Sequence, residues 1–365
     1  MFKKRRDNCR DIFREFSSEV VPEIDFFIKN YFERKISEAD LGFMKEILGY
    51  LCEYCLRDGK RIRPLLLFNA YYGYRKGFKK REAIVRLGAV VEMMHSLLLI
   101  QDDIIDKSEL RRGEKSFHIL LGDKYSHLTL NPSIGQDIAS VTADILFSCC
   151  IEIISGTGIR HDVKDRFLEI FSKTYERTAW GQILDSMNSM PRSIDPESDA
   201  PMQISLMKTA YYTMVYPLMM GYVLSGEKNK SEMTNIEAFA VPLGIAFQIR
   251  DDLLGVFGIE NDTGKPNDSD IIEGKLTLLV QNTILKLSED DRKKFTGIFL
   301  SSIKSKDDVK FVRECIKETG ALEETIERHR ELIDEAYNLL DDLVMKTDNK
   351  YIMRGVIESV EDIPI

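Results

Sequence analysis

The 365-residue chain has little of what marks several common protein classes. There is no basic excess: 51 Lys and Arg stand against 60 Asp and Glu, a formal charge of -9, which argues against a nucleic-acid binder. The six cysteines, Cys9, Cys52, Cys55, Cys149, Cys150 and Cys315, form no disulfide framework. Cys52 and Cys55 make one C-x-x-C, but no second such pair or nearby histidine pair completes a zinc set. They read as packing thiols of a protein in the reducing cytosol. Only 10 prolines occur, and several gather where helices should stop. Strand-like alternation bounded by turn pairs is scarce. The basic N-terminus, MFKKRRDNCR, has no apolar run behind it, which excludes a signal peptide. Long apolar runs are also few. Thr209 to Gly226 is uncharged for 18 residues, near the lower limit for a membrane span. It holds Pro217, Gly221 and several tyrosines, and it reads as a buried core helix with no span.

What is present is helical periodicity over a large apolar fraction, 44% of residues. Val85, Leu87, Val90, Val91, Met94, Leu97 and Leu98 repeat at helical spacings. Polar loops are expected at about Ser186–Gln203 and Gly258–Asp270. No linker divides the chain. The reading is all-α: a single large helical bundle around a central cavity, residues 1–365. Its motif-bearing core is 59–275, and charged amphipathic helices lie outside it from about Ser288.

Two acidic clusters carry the chemistry. Asp102, Asp103 and Asp106 follow the apolar run LLLIQ, and Asp102 and Asp106 share one helix face. Asp251 and Asp252 follow IAFQIR. Like charges at such spacing destabilise a bare helix, and a bridging cation removes the conflict. Hard oxygen ligands without His or Cys favour magnesium. Cations stand beside both clusters. Arg111 and Arg112 trail the first, and Lys265 and Lys275 trail the second. GKRIRP supplies Gly59, Lys60, Arg61 and Arg63, with Pro64 suited to the first turn of a helix. Guanidinium forks match phosphate oxygens, and a helix N-terminus flanked by cations is an anion site. Two acidic and two basic sets suggest two diphosphates beside a greasy cavity, one held through metal ions and one by cations.

GKRIRP, HSLLLIQDDIIDKSELRRG, KTAYYT, FQIRDDLLGVFG and TGK together resemble the trans-polyprenyl diphosphate synthase family, in its order and at its separations. The resemblance implies an all-helical, usually homodimeric, magnesium-dependent prenyltransferase. Such enzymes join an allylic diphosphate to isopentenyl diphosphate, head to tail, and release pyrophosphate. Carried over by residue, Asp102, Asp103 and Asp106 hold two magnesium ions, and Asp251, supported by Asp252, holds a third. Arg111, Lys208 and Lys265 contact the allylic diphosphate. Gly59, Lys60, Arg63, His95 and Arg112 form the isopentenyl diphosphate pocket. Gln248 and the backbone near Lys208 and Thr209 stabilise the carbocation, and Lys275 assists at the second cluster. The resemblance extends to Trp180, Gln182 and Asp185; for the last two, cavity wall and core packing are both open. The chain departs from the pattern at Gly255, where a third carboxylate often stands.

Product length follows from geometry. One helical turn rises about 5.4 Å, close to one isoprene unit. Leu98 lies one turn below Asp102, with Leu97 beside it and Met94 a turn deeper. In the family, bulky aromatics at this level give fifteen-carbon products. Leucines are smaller, so a twenty-carbon product, geranylgeranyl diphosphate, is expected; farnesyl diphosphate or a longer chain are the alternatives. A terpene cyclase would not need GKRIRP, and a non-catalytic synthase subunit would lose acidic or basic members that this chain keeps.

Overall fold

The apolar residues of Arg81–Ile105 fall on every side of a helix, and this helix, α4, lies at the centre of an all-α bundle. The structure is a computed structural model that describes residues 8–76, 81–189, 195, 197–258 and 268–365. The bundle opens with α1 (Cys9–Glu38), α2 (Gly42–Leu56) and α3 (Ile62–Tyr74), which precede α4. A two-residue hairpin follows, Leu110–Arg111 paired antiparallel with Glu114–Lys115, and then α5 (Phe117–Tyr125), α6 (Ile134–Gly156) and α7 (His161–Asn188). α8 (Ala200–Ile204) runs through a π-helical stretch, Ser205–Val215, into α9 (Tyr216–Leu224). α10 (Lys230–Phe257) is the second long core helix. After it come α11 (Ser269–Glu273), α12 (Leu278–Lys286), α13 (Glu289–Phe299), α14 (Lys306–Glu318), α15 (Ala321–Leu340) and α16 (Thr347–Glu361).

Burial explains the order of layers. Leu87, Val90, Met93, Met94, Leu97 and Ile100 of α4 are all within 1% of full burial. Each such side chain contributes about 1.5–3 kcal/mol through apolar area removed from water. α14 instead buries only one stripe, Val309, Val312 and Ile316, which suits a helix on the outside. Its start is fixed by a capping box between Ser305 and Asp308.

The uncharged run from Thr209 is buried, but it does not begin as an α-helix. Pro217 sits inside one continuous helical path; it has no N–H to donate, and its ring clashes with the carbonyl four residues earlier. The hydrogen-bond register upstream widens to the π form, a frequent mark of functional segments. The widened stretch carries Lys208, Thr209 and Tyr212. α7 approaches it closely at Gly181, where an added Cβ would meet the Lys208 nitrogen at 2.6 Å. The first acidic cluster lies at the C-terminal end of α4, and the second lies within the last two turns of α10.

Two helices, α4 and α6, are long and apolar enough to cross a membrane by length and composition. In α4, 78% of that apolar window is buried inside the fold, which marks a core helix; in α6 only 44% is. The outward face of α6 presents Val141, Ile145 and Ile151.

Candidate active site

The α4 helix brings Asp102 and Asp103 to its last turn, and the backbone continues so that the Asp106 N–H donates to the Asp102 carbonyl at 2.8 Å. Each carboxylate meets a cation from elsewhere. Lys208, presented by the π stretch, places Nζ 2.9 Å from Asp102 Oδ1 and 2.6 Å from Asp185 Oδ2 on α7. Lys275 lies 2.9 Å from Asp106 Oδ2 and 2.7 Å from Glu273 Oε2. Arg111 pairs with Asp103 and reaches Asp102 Oδ2 at 3.3 Å. Asp103 is fully buried and also accepts a hydrogen bond from the Tyr54 hydroxyl at 3.0 Å. Tyr54 and Arg111 thus occupy the carboxylate of Asp103, while Asp102 is shared between Lys208 and Arg111 and Asp106 meets the Lys275 ammonium.

These cations decide the protonation states. Burial alone would raise the Asp102 carboxyl, but Lys208, Lys275 and Arg111 hold it well below the usual range, so it is ionised. Burial would lower the Lys208 ammonium, and Asp102 with Asp185 more than reverses that. At Lys275, Asp106, Asp270 and Glu273 likewise outweigh burial.

A second cluster of positive charge forms around the α2–α3 turn. Arg112 donates from Nη1 to the Arg57 carbonyl at 2.9 Å and lies so close to Gly59 that an added Cβ would meet its Cζ at 2.9 Å. Arg112 Nη2 is 3.5 Å from His95 Nε2, and His95 Nδ1 is hydrogen-bonded to the Tyr212 hydroxyl. The Arg63 guanidinium lies 3.9 Å over the Tyr212 ring and donates to Thr213 Oγ1 at 2.8 Å. Burial, then Arg63 and Arg112, lower the His95 imidazole well below its ordinary range, so it is neutral among the arginines. Lys60 is exposed beside them. Arg61, at the middle of GKRIRP, turns the other way. Its side chain is 2% exposed and pairs with Asp25 and Glu92 at 3.1 and 3.0 Å, so it anchors the turn. Among the described residues, three that are not glycine adopt positive φ, namely Arg61, Lys107 and Arg112, all in or next to this region.

On α10, Gln248 donates to Asp252 Oδ1 at 2.7 Å and accepts from the Thr209 hydroxyl. Asp251 is half exposed; lost hydration outweighs Arg250 and Lys60 and raises its carboxyl to about 6. Asp252 is buried and is pushed further up, first by burial and then by Asp270. The charges of the two clusters act on common neighbours. Lys275 feels both Asp106 and Asp270, and Arg63 acts on both His95 and Asp251. Both acidic sets and the basic pocket therefore lie within electrostatic reach of one another. Lys265 lies outside the described residues.

Among the described residues, no three carboxylate, imidazole or thiol groups are gathered tightly enough to hold an ion alone. The residues still suit magnesium, which takes one or two carboxylates and completes its shell with water and substrate oxygens. Asp102 Oδ1 is buried without a hydrogen bond, since the nearby Lys208 ammonium lies off its bonding direction. At the second cluster, burial, Asp270 and Asp251 raise Asp252, and Arg250 lies 3.7 Å from Asp251.

The lower wall is apolar. Leu98 is half-buried on the Asp102 side of α4, whereas Leu97 and Met94 are packed shut in the core at 1% exposure. Gln101 donates to the Tyr175 hydroxyl at 3.2 Å, and the Tyr175 and Phe147 rings lie 5.1 Å apart. Sequence reasoning did not single out Tyr54, Tyr212 or Asp270; Tyr54 and Asp270 lie outside the quoted motifs, and Tyr212 is a tyrosine inside KTAYYT.

The polyprenyl synthetase family profile matches residues 45–317. A short chain isoprenyl diphosphate synthase of Methanothermobacter thermautotrophicus is 31% identical over 78% of this chain and 80% of its own length. A geranylgeranyl diphosphate synthase of Saccharolobus solfataricus is 28% identical, with 83% of each chain covered. The crystal structure of geranylgeranyl pyrophosphate synthase from Corynebacterium glutamicum, complexed with isoprenyl diphosphate and magnesium, superposes with a TM-score of 0.83. It covers 93% of this chain and 98% of that one at 24% identity, a likeness of fold. With the matched profile spanning both acidic clusters and the basic turn, the chain belongs to the polyprenyl synthetase family and is a chain-elongating prenyltransferase.

Proposed function

We propose that the protein condenses isopentenyl diphosphate with an allylic diphosphate to give geranylgeranyl diphosphate, with magnesium ions, three per site, as cofactors. The observation that carries this reading is the pairing of Lys208 with Asp102 beside a separate pocket of Arg63, His95 and Arg112, both at the head of an apolar wall. Asp102, Asp106, Asp251 and Asp252 would hold the metal ions. Asp103, engaged by Tyr54 and Arg111, acts through the orientation of Arg111. Bound magnesium supplies Lewis-acid stabilisation of the pyrophosphate leaving group. Lys208, Lys275 and Arg111 are already fixed before reaction and stabilise the same charge without reorganisation. Gly59, Lys60, Arg63, His95 and Arg112 seat the second diphosphate; neutral His95 contributes a hydrogen-bonding nitrogen without adding to the crowded positive charge. The Gln248 amide oxygen and the π-segment carbonyls near Lys208 and Thr209 face the developing carbocation, and the departing pyrophosphate accepts the final proton. The apolar wall keeps water from that cation.

Exposed Val141, Ile145 and Ile151 on α6, with Leu168, Trp180 and Ile183 on α7, support a homodimer that covers this face. Six free cysteines support a place in the reducing cytosol.

Product length is tested with labelled isopentenyl diphosphate and a fifteen-carbon primer, read by mass spectrometry. A twenty-carbon product is expected. Leu98→Phe should shorten the main product by one isoprene unit, because Leu98 lies one turn below Asp102 and keeps free surface there. No chain beyond fifteen carbons from the wild type, or an unchanged length in the variant, would remove Leu98 from the wall that sets length.

A further inference from the structure

We propose that Arg57 and Tyr54 are positioning residues, which together clamp the short hairpin whose arginines, Arg111 and Arg112, grip the two diphosphates. The inference rests on the reading of the site given above and adds two residues that act through those arginines. Arg57 caps the C-terminal end of α2, and its side chain is only 5% exposed. Its guanidinium takes both oxygens of Glu53, one turn back on α2, from Nε at 2.9 Å and from Nη2 at 3.2 Å. Nη1 donates to the Lys115 carbonyl at 2.8 Å, and Glu114 Oε2 lies 3.4 Å from Nε. Glu114 and Lys115 are the strand paired with Arg111 and Leu110. The Arg57 carbonyl in turn accepts from Arg112 Nη1 at 2.9 Å. One residue thus holds the hairpin through its side chain and its backbone. A planar guanidinium can grip a carboxylate with two groups and still donate a third bond elsewhere, which an ammonium does far less well.

Tyr54 carries the same hold to the first acidic cluster. Its ring is buried, with the Arg57 guanidinium 4.8 Å over it and Phe117 edge-on at 5.3 Å. So fixed, its hydroxyl donates to Asp103 Oδ2 at 3.0 Å, and Asp103 Oδ1 accepts from Arg111 Nε at 2.8 Å. The path runs from Arg57 through Tyr54 and Asp103 to Arg111, which stands beside Asp102. Arg112 is reached from Arg57 directly and stands beside His95. Arg112 also adopts φ 57, a backbone conformation that surrounding contacts must hold in place. A two-stranded hairpin is marginal without such support. The last turn of α2 therefore sets the arginines of both diphosphate pockets at once.

The test is steady-state kinetics on the full chain with each diphosphate varied in turn, and melting temperature measured beside it. Tyr54→Phe removes one hydroxyl; it should raise KM for the allylic diphosphate about tenfold and leave KM for isopentenyl diphosphate within about twofold of wild type. Arg57→Met, which frees the hairpin, should raise both KM values about tenfold. Tyr54→Phe added to Arg111→Gln should change the allylic KM little further, because the hydroxyl acts through that arginine. Unchanged KM values in folded Tyr54→Phe and Arg57→Met, or an equal effect of Tyr54→Phe with and without Arg111, would overturn the proposal. A fall in turnover that only tracks lost folded protein, with both KM values kept, would also overturn it and leave the two residues as ordinary packing. Arg111→Gln alone separates the two readings. If it leaves the allylic KM unchanged, the reading of the site fails and the clamp with it; if it raises that KM while Tyr54→Phe does not, only the clamp fails.

Discussion

Asp102→Ala is expected to lower turnover by at least about a thousandfold and to leave the melting temperature within a few degrees of the wild type. The loss corresponds to about 4 kcal/mol of transition-state stabilisation, within what a metal-held leaving group supplies. The small effect on folding follows from the charges around Asp102. Lys208 keeps Asp185 at 2.6 Å, and Lys275 keeps Asp106 at 2.9 Å, so no buried ammonium is left without a partner. Asp102→Asn should behave the same way, since it keeps the volume and removes only the charge. Steady-state pyrophosphate release and thermal unfolding decide the matter. A variant retaining a tenth of wild-type turnover would show that this carboxylate does not hold the metal. A scaffold or non-catalytic subunit would show no turnover in the wild type.

Arg61→Met is expected to cost about 3–5 kcal/mol of stability, a large part of the 5–15 kcal/mol typical of a native protein. Glu92 is 1% exposed, and its Oε2 already lacks a hydrogen bond. Removing Arg61 takes away its 3.0 Å partner and strands a charge in the core. Asp25 is a third exposed and can rehydrate, so the cost concentrates on Glu92. Arg61→Met combined with Glu92→Met should recover most of the loss, because replacing a buried pair by apolar groups of similar volume is often neutral. Chemical denaturation of the four proteins gives the cycle. Equal stability of Arg61→Met and wild type would show that the pair carries no weight. Activity of the single variant should fall as well, since the Arg61 anchor at φ 48 sets the turn that presents Gly59, Lys60 and Arg63.

The helical bundle and most of the candidate site were legible because they rest on local rules. Helical spacing in Val85–Gln101 announces α4 without reference to any other element. Asp102 and Asp106 fall on one face by count alone. The features that stayed hidden each join elements far apart in the chain. Tyr54 reaches Asp103 across 49 residues, and Tyr212 reaches His95 across 117. The π form of Ser205–Val215, just upstream of Pro217, is a stretch that composition alone renders as an ordinary core helix. Arg61 looked like one more cation of GKRIRP until Glu92 and Asp25 took it inward. Met94 and Leu97 sit at plausible depths below Asp102, yet side chains from other helices close over them.

By itself, then, the order of residues determined helix periods, the stock of carboxylates and cations, and which of them ride on the same helix. These depend on a backbone repeat that each segment obeys alone. Only tertiary structure decided that Lys208 meets Asp102, that Asp103 is spent on Tyr54 and Arg111, and that Asp270 lies over Gly255. The reason is electrostatic. The energy of a charge in a dry hollow is set by whatever arrives within a few ångströms of it, and chain packing brings those neighbours from anywhere in the sequence.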